Sequence, residues 1–120
     1  MTPDALRALV SRWPGVTEDI KWGNDLVFSV AGKMFCVLDI APAGEGGTGR
    51  LSFKVDDGRF LEYTDQPGIV PAPYMARAHW ISLNRPDALP AVERDALIRG
   101  SYMLVRAKLT KTVQRQLGDG

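Results

Sequence analysis

Apolar residues Leu6, Leu9, Val10 and Trp13 recur at helical spacing behind Thr2-Pro3-Asp4. Thr suits an N-cap, Pro the first helical position, and Asp the positive end of the helix dipole. Pro14-Gly15 stops the run, so the pattern predicts a helix from about residue 3 to about residue 13. The period then changes from helical spacing to alternation. Glu18 to Trp22 reads as a first strand and Gly23-Asn24-Asp25 as a turn. Leu26 to Val30 follows as a second strand, and Ala31-Gly32 is the loop of a tight hairpin. Met34 to Ile40 is a third strand, apolar on both faces until Asp39, as expected of a central strand covered by helices on one face and partly covered on the other.

The stretch Ala41 to Arg50 holds four glycines and a proline and reads as a loop. Leu51, Phe53 and Val55 alternate with Ser52 and Lys54 in a half-buried fourth strand, which puts Ser52 and Lys54 on its solvent side. Asp56 or Asp57 caps a short helix bearing Phe60, Leu61 and Tyr63, which ends at Pro67-Gly68. Pro71 and Pro73 stiffen an extended segment leading to Tyr74. Trp80 to Leu83 is a fifth strand, and Pro86 and Pro90 frame a turn. A long helix runs from about Pro90 to about Gln116, with Ile98, Tyr102, Val105, Leu109 and Val113 on one stripe. Gly100 is the position at which it would kink or divide. The expected architecture is a single α+β domain over residues 1–120. It has an antiparallel sheet of about five strands, helices packed on one face and a long C-terminal helix.

Composition removes several classes. At 120 residues, 45% hydrophobic and 24% charged, the chain is long enough for one core and too short for an eight-fold barrel or a doubly wound nucleotide-binding fold. The single cysteine, Cys36, excludes an intramolecular disulfide framework and a Cys-rich zinc site. No signal pattern opens the sequence. The longest apolar-rich stretch, Val27 to Ile40, is broken by Ser29, Gly32, Lys33 and Asp39, so a soluble cytoplasmic protein is expected. The scattered carboxylates show no metal-ligand spacing, and neither a metal nor a cofactor is expected. Gly44 to Gly49 lacks the Gly-Lys-Ser/Thr ending of a phosphate loop and leads into a strand rather than a helix. A nucleophilic pair of Cys36 and His79 is conceivable. However, Cys36 lies inside an apolar strand, where cysteine is usually an inert small hydrophobe, so no catalytic residue is assigned and no enzyme is expected.

Fifteen Lys+Arg against fourteen Asp+Glu leave a net charge of +1, too balanced for global charge to indicate a nucleic-acid binder. The local distribution is less even. Arg99, Arg106, Lys108, Lys111 and Arg115 follow one another with no acid between the first and last. On a helix of about 100° per residue, Lys108, Lys111 and Arg115 fall opposite the apolar stripe while Arg99 and Arg106 flank it. Such a face can contact phosphates, or can be a solvated face whose cations complement the helix C-terminus. Lys33 at the hairpin tip could act as a wing against a groove. A strand lysine such as Lys54 can equally protect a sheet from edge pairing. Arg77-Ala78-His79-Trp80, with Tyr74 upstream, combines a cation, an imidazole and an indole. That mixture suits base stacking or an anionic ligand, and equally the start of a strand with Trp packed inward.

Taken in order, several short segments resemble the MmcQ/YjbR-like family of small bacterial proteins. These are the hairpin Val30-Ala31-Gly32 ending in Lys33-Met34-Phe35, Leu51-Ser52-Phe53-Lys54, Pro71-Ala72-Pro73-Tyr74, His79-Trp80-Ile81 and Ser101-Tyr102. The resemblance runs from about Trp13 to about Lys111. Where many members have two glycines in the hairpin, this chain has Ala31-Gly32. The resemblance implies a fold related to type III secretion chaperones and loosely similar to frataxin, and DNA binding through a double wing of sheet hairpins. It places Lys33, Lys54, Arg77, His79 and Trp80 on the candidate surface and gives Ser101 and Tyr102 the role of holding the helix to the sheet. Iron handling of the frataxin kind is disfavoured, because the first helix offers only Asp4. The leading expectation is a non-enzymatic protein that contacts the backbone of double-stranded DNA through Lys33, Lys54, Arg99, Arg106, Lys108 and Lys111, with Trp80 or Tyr74 stacking or wedging. The alternative is a small-ligand or protein-interaction module in which Tyr74, His79 and Trp80, within the Pro71–Trp80 segment, line a pocket.

Overall fold

The computed structural model describes residues 1–73 and 75–118. Helix α1 spans Pro3–Val10, and the Thr2 hydroxyl caps it by accepting from the Ala5 N–H at 3.0 Å. Three strands follow as a meander: β1 (Val16–Lys21), β2 (Asp25–Val30) and β3 (Lys33–Asp39). The glycine-rich loop leads to β4 (Leu51–Lys54), then α2 (Phe60–Thr64), β5 (Ile69–Pro71) and β6 (Trp80–Leu83). Helices α3 (Ala91–Arg106) and α4 (Lys111–Leu117) complete the chain. The strands form one antiparallel sheet in the order β1-β2-β3-β4-β6-β5.

The sheet has six strands rather than about five. The additional one, β5, is three residues long and ends on Pro71. It is an edge strand, where a proline can sit because its missing N–H need not serve a second neighbour. Leu26, Phe28 and Val30 of β2, Leu51 and Phe53 of β4, and Ile81 and Leu83 of β6 all face one way. Leu6 and Val10 of α1, Tyr63 of α2 and Ile98, Tyr102 and Val105 of α3 close over them in one core. In β3 the register shifts. Phe28 pairs with Cys36 and Ser29 with Met34, so Phe35 is the extra residue of a β-bulge. The bulge lets both Phe35 and Cys36 enter the core, which explains why the third strand reads as apolar on both faces.

The C-terminal helix runs unbroken through Gly100 and divides instead between Arg106 and Lys111. Thr110 leaves helical geometry (ψ 154°), and its hydroxyl caps α4 by accepting from the Val113 N–H at 3.2 Å. The interrupted turn is satisfied from within α4. The Gln114 amide donates to Ala107 O and Leu109 O, and Arg106 reaches across to Gln114 O and Gly118 O. Two further expectations change. Asp56 makes no capping hydrogen bond, and Asp57 is paired with His79. No helix among the described residues is long and apolar enough to cross a membrane.

Candidate nucleic-acid interface

The β2–β3 turn places its two central residues, Ala31 (φ 47°) and Gly32 (φ 81°), in the left-handed region. This is the hairpin geometry that matches strand twist, and it leaves Lys33 exposed at the tip. The sheet register gathers other segments at this same end. Val16, the first residue of β1, pairs with Val30. β4 ends here, with Lys54 opposite Trp80, the first residue of β6. The C-terminal half of α3 is fixed here as well. The Ser101 hydroxyl donates to Phe35 O (2.6 Å) and accepts from the Lys54 N–H (2.9 Å), and the Tyr102 hydroxyl donates to Pro14 O (2.6 Å). These bonds are the anchoring role that the resemblance implied for Ser101 and Tyr102. Helix α4 docks against the same corner, with Leu117 packed on Gly15.

The candidate cations therefore lie at one end of the sheet, but in different states. Lys33, Arg77, Lys108 and Lys111 are exposed, as are Arg12 and Arg115. Lys54 is only 8% exposed, and its ammonium donates to Ala78 O. Burial, and then the nearby charge of Lys108, push the Lys54 amine below its ordinary range, while Asp57 pulls the other way. That coupling places Lys108 and Lys54 in one electrostatic neighbourhood. His79 adopts a left-handed conformation (φ 59°). Its Nδ1 meets the Asp57 carboxylate, and its ring lies edge-on to Phe60 at 5.4 Å.

Besides Lys54, which was expected on the solvent side of its strand, three candidates are not available as surface contacts. Trp80 is 3% exposed, enclosed at the start of β6, and offers no face for stacking or wedging. Arg106 is buried and spends its guanidinium on the Tyr102 hydroxyl (3.1 Å), Gln114 O and Gly118 O. Arg99 is half-buried, with its guanidinium 4.9 Å from the centroids of both the Trp13 and Tyr102 rings. The physical reason is common to all three. Long amphipathic side chains cover apolar surface with their bodies, and residue type alone does not reveal which ones do so. Tyr74 lies outside the described residues. Arg12, two residues past the end of α1, is an exposed cation that sequence reasoning missed; its position just before Trp13, which packs against the core, was the available signal.

Catalytic chemistry gains nothing here. Cys36 is fully enclosed, and burial pushes its thiol up, away from the nucleophilic thiolate. Among the described residues no group of three His, Cys, Asp or Glu side chains could hold a metal ion.

Other residues of the Pro71–Trp80 segment line a cavity. Ala72, Pro73 and Met75 form one wall of a space of about 740 Å³ on the sheet face turned away from the helices. Neither His79 nor Trp80 borders it.

The YjbR family model matches residues 11–104. A crystal structure from Deinococcus radiodurans, of a protein with a DUF419 domain, superposes with a TM-score of 0.85 at 31% identity, covering 99% of this chain and 89% of that one. A crystal structure from Pseudomonas syringae gives a TM-score of 0.69 at 25% identity, covering 88% of this chain and 99% of that one. No curated protein matches the chain.

Proposed function

The chain belongs to the YjbR family, and from that premise we propose that it is a non-enzymatic DNA-binding protein that contacts the phosphate backbone through the basic end of its sheet. The observation that carries this reading is the meeting of exposed cations from separate parts of the chain. Lys33 comes from a hairpin tip, Arg77 from the turn before β6, Lys108 from the α3–α4 junction and Lys111 from α4. Four such contacts on a duplex displace condensed counterions, so affinity depends steeply on salt although the whole molecule is nearly neutral. Lys54 supports the surface from behind, raising the local field without offering a free ammonium. Lys33 on its projecting turn is the part best shaped to follow a groove.

Fluorescence anisotropy of a labelled random duplex, at low and at physiological salt, tests the reading. The expected result is non-specific affinity on the order of 10⁻⁴ to 10⁻⁶ M at physiological salt, with a log–log salt slope of about −3 to −4. Lys33→Gln, Lys108→Gln and Lys111→Gln each weaken binding and reduce the slope by about one, uniformly across sequences. Trp80→Phe leaves the slope unchanged, because a buried indole makes no contact. Absence of binding at low salt, the condition that favours it most, removes the DNA reading.

A further inference from the structure

The cavity on the open face of the sheet has two unlike halves. Toward the hairpin end it is apolar, with Met34, Val37 and Met75 among its lining side chains. Toward the other end it is bordered by two carboxylates, Asp25 and Asp39, which sit directly opposite each other on β2 and β3, and by Arg50 near Asp39. The two are not equivalent. Asp39 is committed: it accepts from the Ala41 N–H (3.0 Å), the Thr48 N–H (2.9 Å) and the Thr48 hydroxyl (2.9 Å), and so holds the glycine-rich loop shut. Those donors and the charge of Arg50 hold its carboxyl below the usual range. The Asp25 carboxylate receives no hydrogen bond and no ion pair among the described residues. Partial burial and the charge of Asp39 push it above the ordinary carboxyl range. With Arg50 offsetting Asp39, the uncompensated negative charge at this rim is that of Asp25.

Trp22 completes the rim. It is 69% exposed and borders the same cavity. Its backbone is in the left-handed region (φ 52°), an outlier for a bulky side chain, in a turn continued by Gly23 at φ 88°. An exposed indole held in a strained conformation beside an unpaired carboxylate, over an apolar floor, is the arrangement that recognises a positive charge carried on a hydrocarbon body.

We propose that this cavity binds a small organic cation with an aromatic body, an arylalkylammonium, with its charge between Asp25 and the Trp22 ring and its body over Met34, Val37 and Met75. The charged rim of the site lies at the end of the sheet away from the cations of the proposed DNA surface, and the proposal stands or falls independently of that surface. An anionic counterpart of the same size meets like charge at the rim.

The test is a titration of the ¹⁵N-labelled protein, followed by NMR, with phenethylammonium, with 3-phenylpropionate, and with Nα-acetyl-lysine amide. The proposal expects phenethylammonium to shift the Trp22 indole N–H and the Val37 and Ser52 amides saturably, with the carboxylate binding at least about tenfold more weakly. Asp25→Asn keeps the size of the side chain, reduces the ammonium affinity about tenfold and removes the preference over the carboxylate. Trp22→Leu, in an exposed turn, provides a second variant and also weakens the ammonium. Equal or tighter binding of the carboxylate, failure of the shifts to saturate at millimolar concentrations, or an affinity unchanged in both variants overturns the proposal. Binding of the lysine derivative as tight as that of phenethylammonium also overturns it, by assigning the site to a peptide side chain.

Discussion

Ser101 shows how much a single hydroxyl can carry. The bulge in β3 leaves Phe35 without a pairing partner on β2, and the regular β3–β4 pairs begin only at Cys36 and Phe53. The Ser101 hydroxyl fills the gap, bonding Phe35 O and the Lys54 N–H from a fully buried position. Ser101→Ala leaves two buried backbone groups unmet, so a loss of about 2–3 kcal/mol is expected in denaturant unfolding, more than the removal of one ordinary hydrogen bond costs. Asp39 makes a second prediction at this scale. Its folded-state pKa is lowered by the donors it holds, so its contribution to stability is fully present above the ordinary value of 3.8 and is lost as pH falls through the depressed folded value. Hydrogen exchange at the Thr48 amide, followed on acidification, should report the loop opening in that window, and Asp39→Asn should remove this pH dependence. The family resemblance pointed to Ser101 as an anchor without naming its partners, and the role of Asp39 was not visible in the sequence. A serine inside a helix and an aspartate ending a strand have no local signature for bonds to residues distant in the chain.

The elements were largely legible, because each rests on a local period or a local stop. The α1 cap, the β2–β3 hairpin and strands β2, β3, β4 and β6 fall where alternation and turn chemistry place them. The exceptions arise where local and tertiary preferences conflict. The apolar stripe of the last helix continues through Leu109 and Val113, so nothing in its period predicts a break. The break comes because Thr110 caps a new helix and because Gln114 of α4 bonds the carbonyls of Ala107 and Leu109 in the turn after α3. Gly100, the expected weak point, sits in a regular helix where an added Cβ meets nothing within 4 Å. Gly100→Ala is therefore expected to stabilise the protein by about 0.5–1 kcal/mol, through helix propensity alone, as a raised midpoint of thermal unfolding. β5 escaped recognition because three residues flanked by prolines carry no period. It exists because the edge of β6 needed a partner.

Across the whole molecule, a net charge of +1 conceals a separation. Lys33, Arg77, Lys108 and Lys111 stand at the hairpin end of the sheet, while Asp25 and Asp39 stand at the other end of β2 and β3. A strand of six residues spans about 20 Å, more than twice the roughly 8 Å over which charges are felt at physiological ionic strength. The two carboxylates at one end therefore do not cancel the exposed cations at the other. A duplex approaching the hairpin end and a small cation approaching Asp25 each meet their own local field. This supports two independent tests, the salt slope of duplex binding and the charge preference of the cavity, with neutralisation of Lys33 affecting only the first.

The sequence by itself determined the α+β class, most of the strands, the hairpin that carries Lys33 and the family to which the chain belongs. Each of these depends on residues close together in the chain, or on short motifs in a fixed order. Only the tertiary structure decided which cations remain exposed, that Trp80 and Arg106 are spent inside the fold, and that Trp22 and Asp25 share a cavity with Met75, fifty residues away. Burial and convergence are properties of contacts between distant segments. A long amphipathic side chain has the same sequence signature whether its charged tip reaches water or a backbone carbonyl.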